Sequence, residues 1–113
     1  MATVTVTQHK LLRTNEPSGA LVPTAFGGSD TVKIPMTDKK LVVRVTTTTA
    51  GNVTFSKGNG IGGVADLVVA GEATKEFFIQ LDSSSFEVVT GANKGYCIMT
   101  PAVAGTISVV NAL

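Results

Sequence analysis

From Lys40 onward the chain repeats one pattern, a short alternating apolar run followed by a turn. The runs are "KLVVRVTTTT", "NVTFSK", "VADLVV", "KEFFIQL", "SFEVVT", "GYCIMT" and "GTISVVNAL", and the punctuation between them is "AGN", "GNGIGG", "AGEAT", "DSS", "GANK" and "PAVA". β-Branched and aromatic residues recurring every 8–12 or so positions between turn signals specify an all-β sandwich or barrel. No capped amphipathic helix interrupts the series, and 113 residues suffice for one domain, 1–113, but not comfortably for two. The expected architecture is a single jelly-roll-like β-sandwich of about eight strands.

The inner face specified by this alternation comprises Leu41, Val43, Val45, Val53, Phe55, Leu67, Val69, Phe77, Ile79, Leu81, Phe86, Val88, Tyr96, Ile98, Ile107 and Val109. Full burial of a large apolar side chain contributes about 1.5–3 kcal/mol, so such a set can offset the chain entropy of a two-layer domain. The opening "TVTVT" alternates as well, with Val4 and Val6 on one face. From Gln8 to Asp30 the alternation stops, and Pro17, Gly19, Pro23, Gly27 and Gly28 interrupt any regular element. This stretch, 8–30, reads as an irregular N-terminal arm. Its apolar residues have no periodicity that would bury them in a sheet of their own, which leaves two readings. Either the arm docks on a partner through Leu11, Leu12, Leu21 and Phe26, or it crosses the sandwich and plugs one end of the core.

"GNGIGG", Gly58 to Gly63, matches the dinucleotide fingerprint G-x-G-x-x-G, and Asp82 lies roughly where a ribose-binding acid would fall. That site requires the glycines to open a helix whose free N–H groups hold the pyrophosphate. The following "VADLVVAGEATKE" is rich in valine, contains Gly71 and has no N-cap residue before it, so it is a poor helix. The glycines are better read as a turn or bulge that needs positive φ.

Charge and cysteine content narrow the function further. Nine basic and eight acidic residues give a net charge of +1, with no basic run longer than Lys39–Lys40, so nucleic acid is not an expected partner. A single cysteine, Cys97, supplies neither an intrachain disulfide nor a zinc framework, which suits a reducing cytoplasm. No signal-peptide pattern opens the chain, and no apolar run approaches the 18 or so residues of a membrane helix, so no membrane partner is expected. The carboxylates Asp30, Asp38, Asp66, Glu72, Glu76, Asp82 and Glu87 are dispersed singly, and no metal or cofactor is expected.

No enzyme constellation emerges either. His9 is the only histidine and sits beside no acid, while "DSSS", Asp82 to Ser85, is explained by a turn in which the carboxylate accepts backbone hydrogen bonds. Cys97 lies between Tyr96 and Ile98 in a strand and reads as a buried, inert thiol. Thr46 to Thr49 reads as an exposed strand end. The chain is therefore expected to be non-enzymatic.

Taken in order, "MATVTVTQHKLLR…EPSGALVPTA", "KKLVVRV", "NVTFSKGNGIGGVADLVVAGEATKEFFIQLDSSSF" and "ANKGYCIMTPAVAGTISVVNAL" resemble small virion-associated proteins of tailed bacteriophages. The resemblance spans nearly the whole chain and rests on structural motifs. It implies a β-sandwich on the exterior of the virion head, made in the bacterial host cytoplasm, that decorates or cements the capsid by binding major capsid protein. A homotrimer at capsid three-fold positions would suit that role. The alternative is a carbohydrate-binding or host-adhesion module on the same virion, although tryptophan is absent and Tyr96 is the only tyrosine.

Overall fold

The computed structural model describes residues 2–10, 23–36 and 40–111. In chain order the strands are β1 (Thr3–Thr5), β2 (Gln8–Lys10), β3 (Thr24–Phe26), β4 (Thr31–Pro35), β5 (Lys40–Thr47), β6 (Gly51–Phe55), β7 (Leu67–Gly71), β8 (Glu76–Asp82), β9 (Tyr96–Pro101) and β10 (Gly105–Asn111). One single-turn helix, α1 (Ser83–Phe86), follows β8. The strands form two sheets, one ordered β1-β4-β9-β6-β7 and the other β2-β10-β5-β8, with β3 also paired to β10. The protein is an all-β sandwich. The three-residue strands β1, β2 and β3 bring the number among the described residues above the eight or so expected.

Alternation explains why the sheets enclose one core. On β5, Leu41, Val43, Val45 and Thr47 are buried, whereas Val42 is exposed. Across the pair to β10, Val45 opposes Ile107 and Val43 opposes Val109, so the apolar sets of the two strands face the same way. From the other sheet, Val32, Ile34, Val53, Phe55, Cys97 and Met99 complete the core. Thr47 and Ser108 are buried polar residues, and the Thr47 Oγ1 donates to the Glu72 carbonyl at 3.2 Å. Only Thr48 and Thr49 of the threonine run are exposed.

Three expectations require correction, the first being the run "SFEVVT", which forms no strand because Ser83–Phe86 make α1 and residues 87–89 are irregular. Tyr96 and Ile98 are only half-buried, because β9 runs in the opposite phase with Cys97, Met99 and Pro101 inward. The phenol therefore stays near water, where the Lys33 ammonium lies 4.2 Å from the ring centroid. The arm at 8–30 is also not wholly irregular. Gln8–Lys10 pairs in parallel with Val109–Asn111, and Thr24–Phe26 pairs antiparallel with Gly105–Ile107.

A small carboxylate clamp joins the N-terminal strands. Asp30 accepts hydrogen bonds from the Gly27 N–H at 2.7 Å and the Ala2 N–H at 3.0 Å, tying the start of β1 to the turn between β3 and β4. These two donors, Gly27 first, hold the carboxyl below its ordinary value of 3.8. Because the folded pKa is depressed, the stabilisation is present above the unfolded value and is lost as pH falls through the folded one. Asp30→Ala should lower the melting temperature at neutral pH and flatten its dependence on pH below about 4. Parallel melting curves for the two proteins at every pH would contradict this.

Candidate docking surface

The four arm residues do not form a site among the described residues. Leu11, Leu12 and Leu21 lie outside them. Phe26 is 5% exposed and belongs to the chain's own core, so it is not available as an anchor for a partner. Its position follows from pairing: β3 lies along β10, with Phe26 opposite Gly105, and a Cβ on Gly105 would approach the Phe26 ring to 3.0 Å.

The exposed apolar groups gather elsewhere. The glycine-rich loop leaves β6 and presents Ile61 at 107% and Val64 at 81% relative exposure. Val89, 42% exposed, lies behind the loop, within ordinary contact distance of a Cβ placed on Gly60. Singly exposed apolar residues are common, but Ile61 and Val64 are exposed together on one loop that is held in place.

The loop is held by backbone packing and hydrogen bonds. Gly58 N–H donates to the Ser85 carbonyl at 2.8 Å and Gly63 N–H to the Gly60 carbonyl at 3.1 Å. Asn59 clamps the irregular segment after α1: its Oδ1 accepts from Val89 N–H at 2.8 Å, and its Nδ2 donates to the Thr90 carbonyl and hydroxyl, both at 3.1 Å. Asp66 accepts from Lys57 N–H at 2.8 Å and closes the base.

The glycines are required here for a reason other than the expected one. None of those in the loop has positive φ; among described glycines that conformation occurs at Gly91 and Gly95. Instead, the loop backbone lies directly on other backbone. A Cβ on Gly58 would come within 2.1 Å of the Glu87 carbonyl oxygen, one on Gly62 within 2.3 Å of the Ser84 oxygen, and one on Gly63 within 1.9 Å of the Gly58 oxygen. No helix follows the loop, because residues 64–66 are irregular and lead into β7, so the helix N-terminus that a pyrophosphate needs does not form.

The remaining candidates take structural places. Asp82 precedes α1 but makes no side-chain cap; its carboxylate accepts from the Ser84 hydroxyl at 3.0 Å rather than from backbone. Cys97 is buried, and desolvation pushes its thiol up to about 12. Among the described residues no three His, Cys, Asp or Glu side chains converge as metal ligands, and no helix is long and apolar enough to cross a membrane. Comparison with family models, curated proteins and solved structures finds no match.

Proposed function

We propose that this chain is a non-enzymatic structural protein of a phage virion that decorates the capsid by docking on major capsid protein through the glycine-loop tip. The observation that carries this reading is the pairing of full apolar exposure at Ile61 and Val64 with a loop fixed by backbone contacts. A preformed apolar projection loses little conformational entropy on docking, so most of the burial energy is available for affinity. Burying two such side chains contributes about 1.5–3 kcal/mol each, and many copies on one lattice turn modest contacts into firm attachment. The sequence resemblance supplies the capsid as the surface.

Cosedimentation with purified heads that lack the protein tests this. Wild type should pellet with heads and saturate, whereas Ile61→Asp combined with Val64→Asp should keep its circular dichroism spectrum and bind at least about 100-fold more weakly. A wild-type chain that stays in the supernatant would sink the proposal, as would a double variant that binds unchanged. A saturable hit on a glycan array would favour the adhesion reading instead. Against that reading, the Tyr96 ring already carries the Lys33 ammonium.

A further inference from the structure

Strand β8 ends its sheet. Among the described residues it pairs with β5 alone, so its outer edge carries backbone donors and acceptors with no strand beside them. Exposed edges in monomeric proteins are usually guarded by lysine, proline or a bulge. Between Glu76 and Asp82 there is neither lysine nor proline, and the seven residues pair with β5 in unbroken register.

The side chains of this edge are unusually apolar. Phe78 is 64% exposed on the outer face, the only phenylalanine that projects outward. On the inner face Phe77 and Ile79 pack against the core but are only half-buried, whereas Leu81 further along the strand is buried completely. Among the described residues the core is thus left incomplete along β8. Both the edge that no described strand pairs and the partly covered side chains call for another strand.

We propose that β8 pairs antiparallel with β8 of a second copy of this chain, about a two-fold axis through Phe78. The strand itself selects this register. A two-fold axis normal to the sheet requires opposed residues to lie on the same face, so the axis must pass through a residue. Centred on Ile79, the pairing sets Glu76 against Asp82 of the other copy, and like charges directly opposite are destabilising. Centred on Gln80, it sets Phe78 against Asp82. Centred on Phe78, it opposes the two phenylalanines, sets Glu76 against Gln80, and brings Phe77 against Ile79 so that each completes the other's core. This pairing rests on the β8 edge and not on the docking reading.

Purified protein alone tests the inference. Sedimentation equilibrium should give twice the 11.6 kDa chain mass, and Phe78→Lys, which places two ammonium groups opposite each other, should raise the dissociation constant at least about tenfold with the fold retained. Directly opposed residues in an antiparallel pair have Cα atoms about 4.5–5.5 Å apart, a separation that a disulfide spans. Phe78→Cys should therefore cross-link to a dimer under mild oxidation, while Asp82→Cys should not; Cys97 is buried and does not compete. A wild-type monomer, a trimer, or a dimer that survives Phe78→Lys and fails to cross-link through Phe78→Cys overturns the proposal.

Discussion

Replacing Phe55 with alanine should cost about 3–5 kcal/mol, the largest loss expected from any single truncation in this protein. Phe55 closes β6, is fully buried, and heads the buried side chains by volume. Its backbone pairs with Leu67 on β7 and Met99 on β9, so the strands on both sides hold the cavity walls in place. A ring removed from between two fixed strands leaves a void that neighbours cannot fill, and the cost rises with the volume of that void. Domains of this size have total stabilities of about 5–15 kcal/mol, so the variant retains a fraction of its folding free energy and melts roughly 10–25 °C lower. Urea denaturation with an unchanged m-value measures the loss directly. A change below about 1 kcal/mol would mean that the site collapses freely, contrary to the packing described.

The second large effect is expected from a single methyl group. Gly58→Ala places a carbon where the Glu87 carbonyl oxygen stands, 2.1 Å from it, with the Glu87 carbonyl carbon at 2.9 Å. Both neighbours are backbone and cannot move aside as a flexible side chain would. The loop must lift away from the segment after α1, breaking the Gly58 hydrogen bond to Ser85, and overpacking of this kind costs about 1–3 kcal/mol. Amide exchange should accelerate at Gly58, Gly63 and Val89 together, since the same loop position holds all three. Shell binding should weaken in step, because the tip loses the rigidity on which it depends. Unchanged stability and unchanged exchange in Gly58→Ala would show that the loop is not seated as described.

The parts of the fold that sequence made legible are those whose two faces differ in polarity. On β5 and β10 apolar and polar residues alternate, and the inward set Leu41, Val43, Val45, Ile107 and Val109 follows from that contrast. On β9 both faces are apolar, since Tyr96 and Ile98 compete with Cys97 and Met99, and a slip of one residue exchanges the faces. Strand β4 has a weak local signature although Val32, Ile34 and Met36 alternate, because Pro35 ends the run and argues locally against a sheet. Pairing of Pro35 with Tyr96 at the strand's last position shows how the ring is accommodated.

The short strands β2 and β3 have no local signature. "QHK" is polar, and "TAF" lies between a proline and two glycines; what makes them strands is β10, which a local window does not contain. The same distance misassigned Phe26, whose burial depends on a strand near the other end of the sequence. For the docking tip the sequence carries a signal of its own. Ile61 is a large apolar residue amid four glycines, and in a loop that needs only to turn it has no purpose.

The dependence of β2 and β3 on β10 also bears on how the chain acquires its shape during synthesis. Gln8 pairs with Val109 and Phe26 with Gly105, so these segments meet their neighbours only after the long stretch of chain between them has been made. A ribosome adds roughly 5–20 residues per second, which leaves the early strands waiting for several seconds as open chain. Partners so far apart in sequence place the molecule among slow, non-local folders, in the range of milliseconds to seconds once all parts are present. One sheet cannot close while the last strand is still inside the exit tunnel, and the sandwich is completed as a unit after that strand emerges.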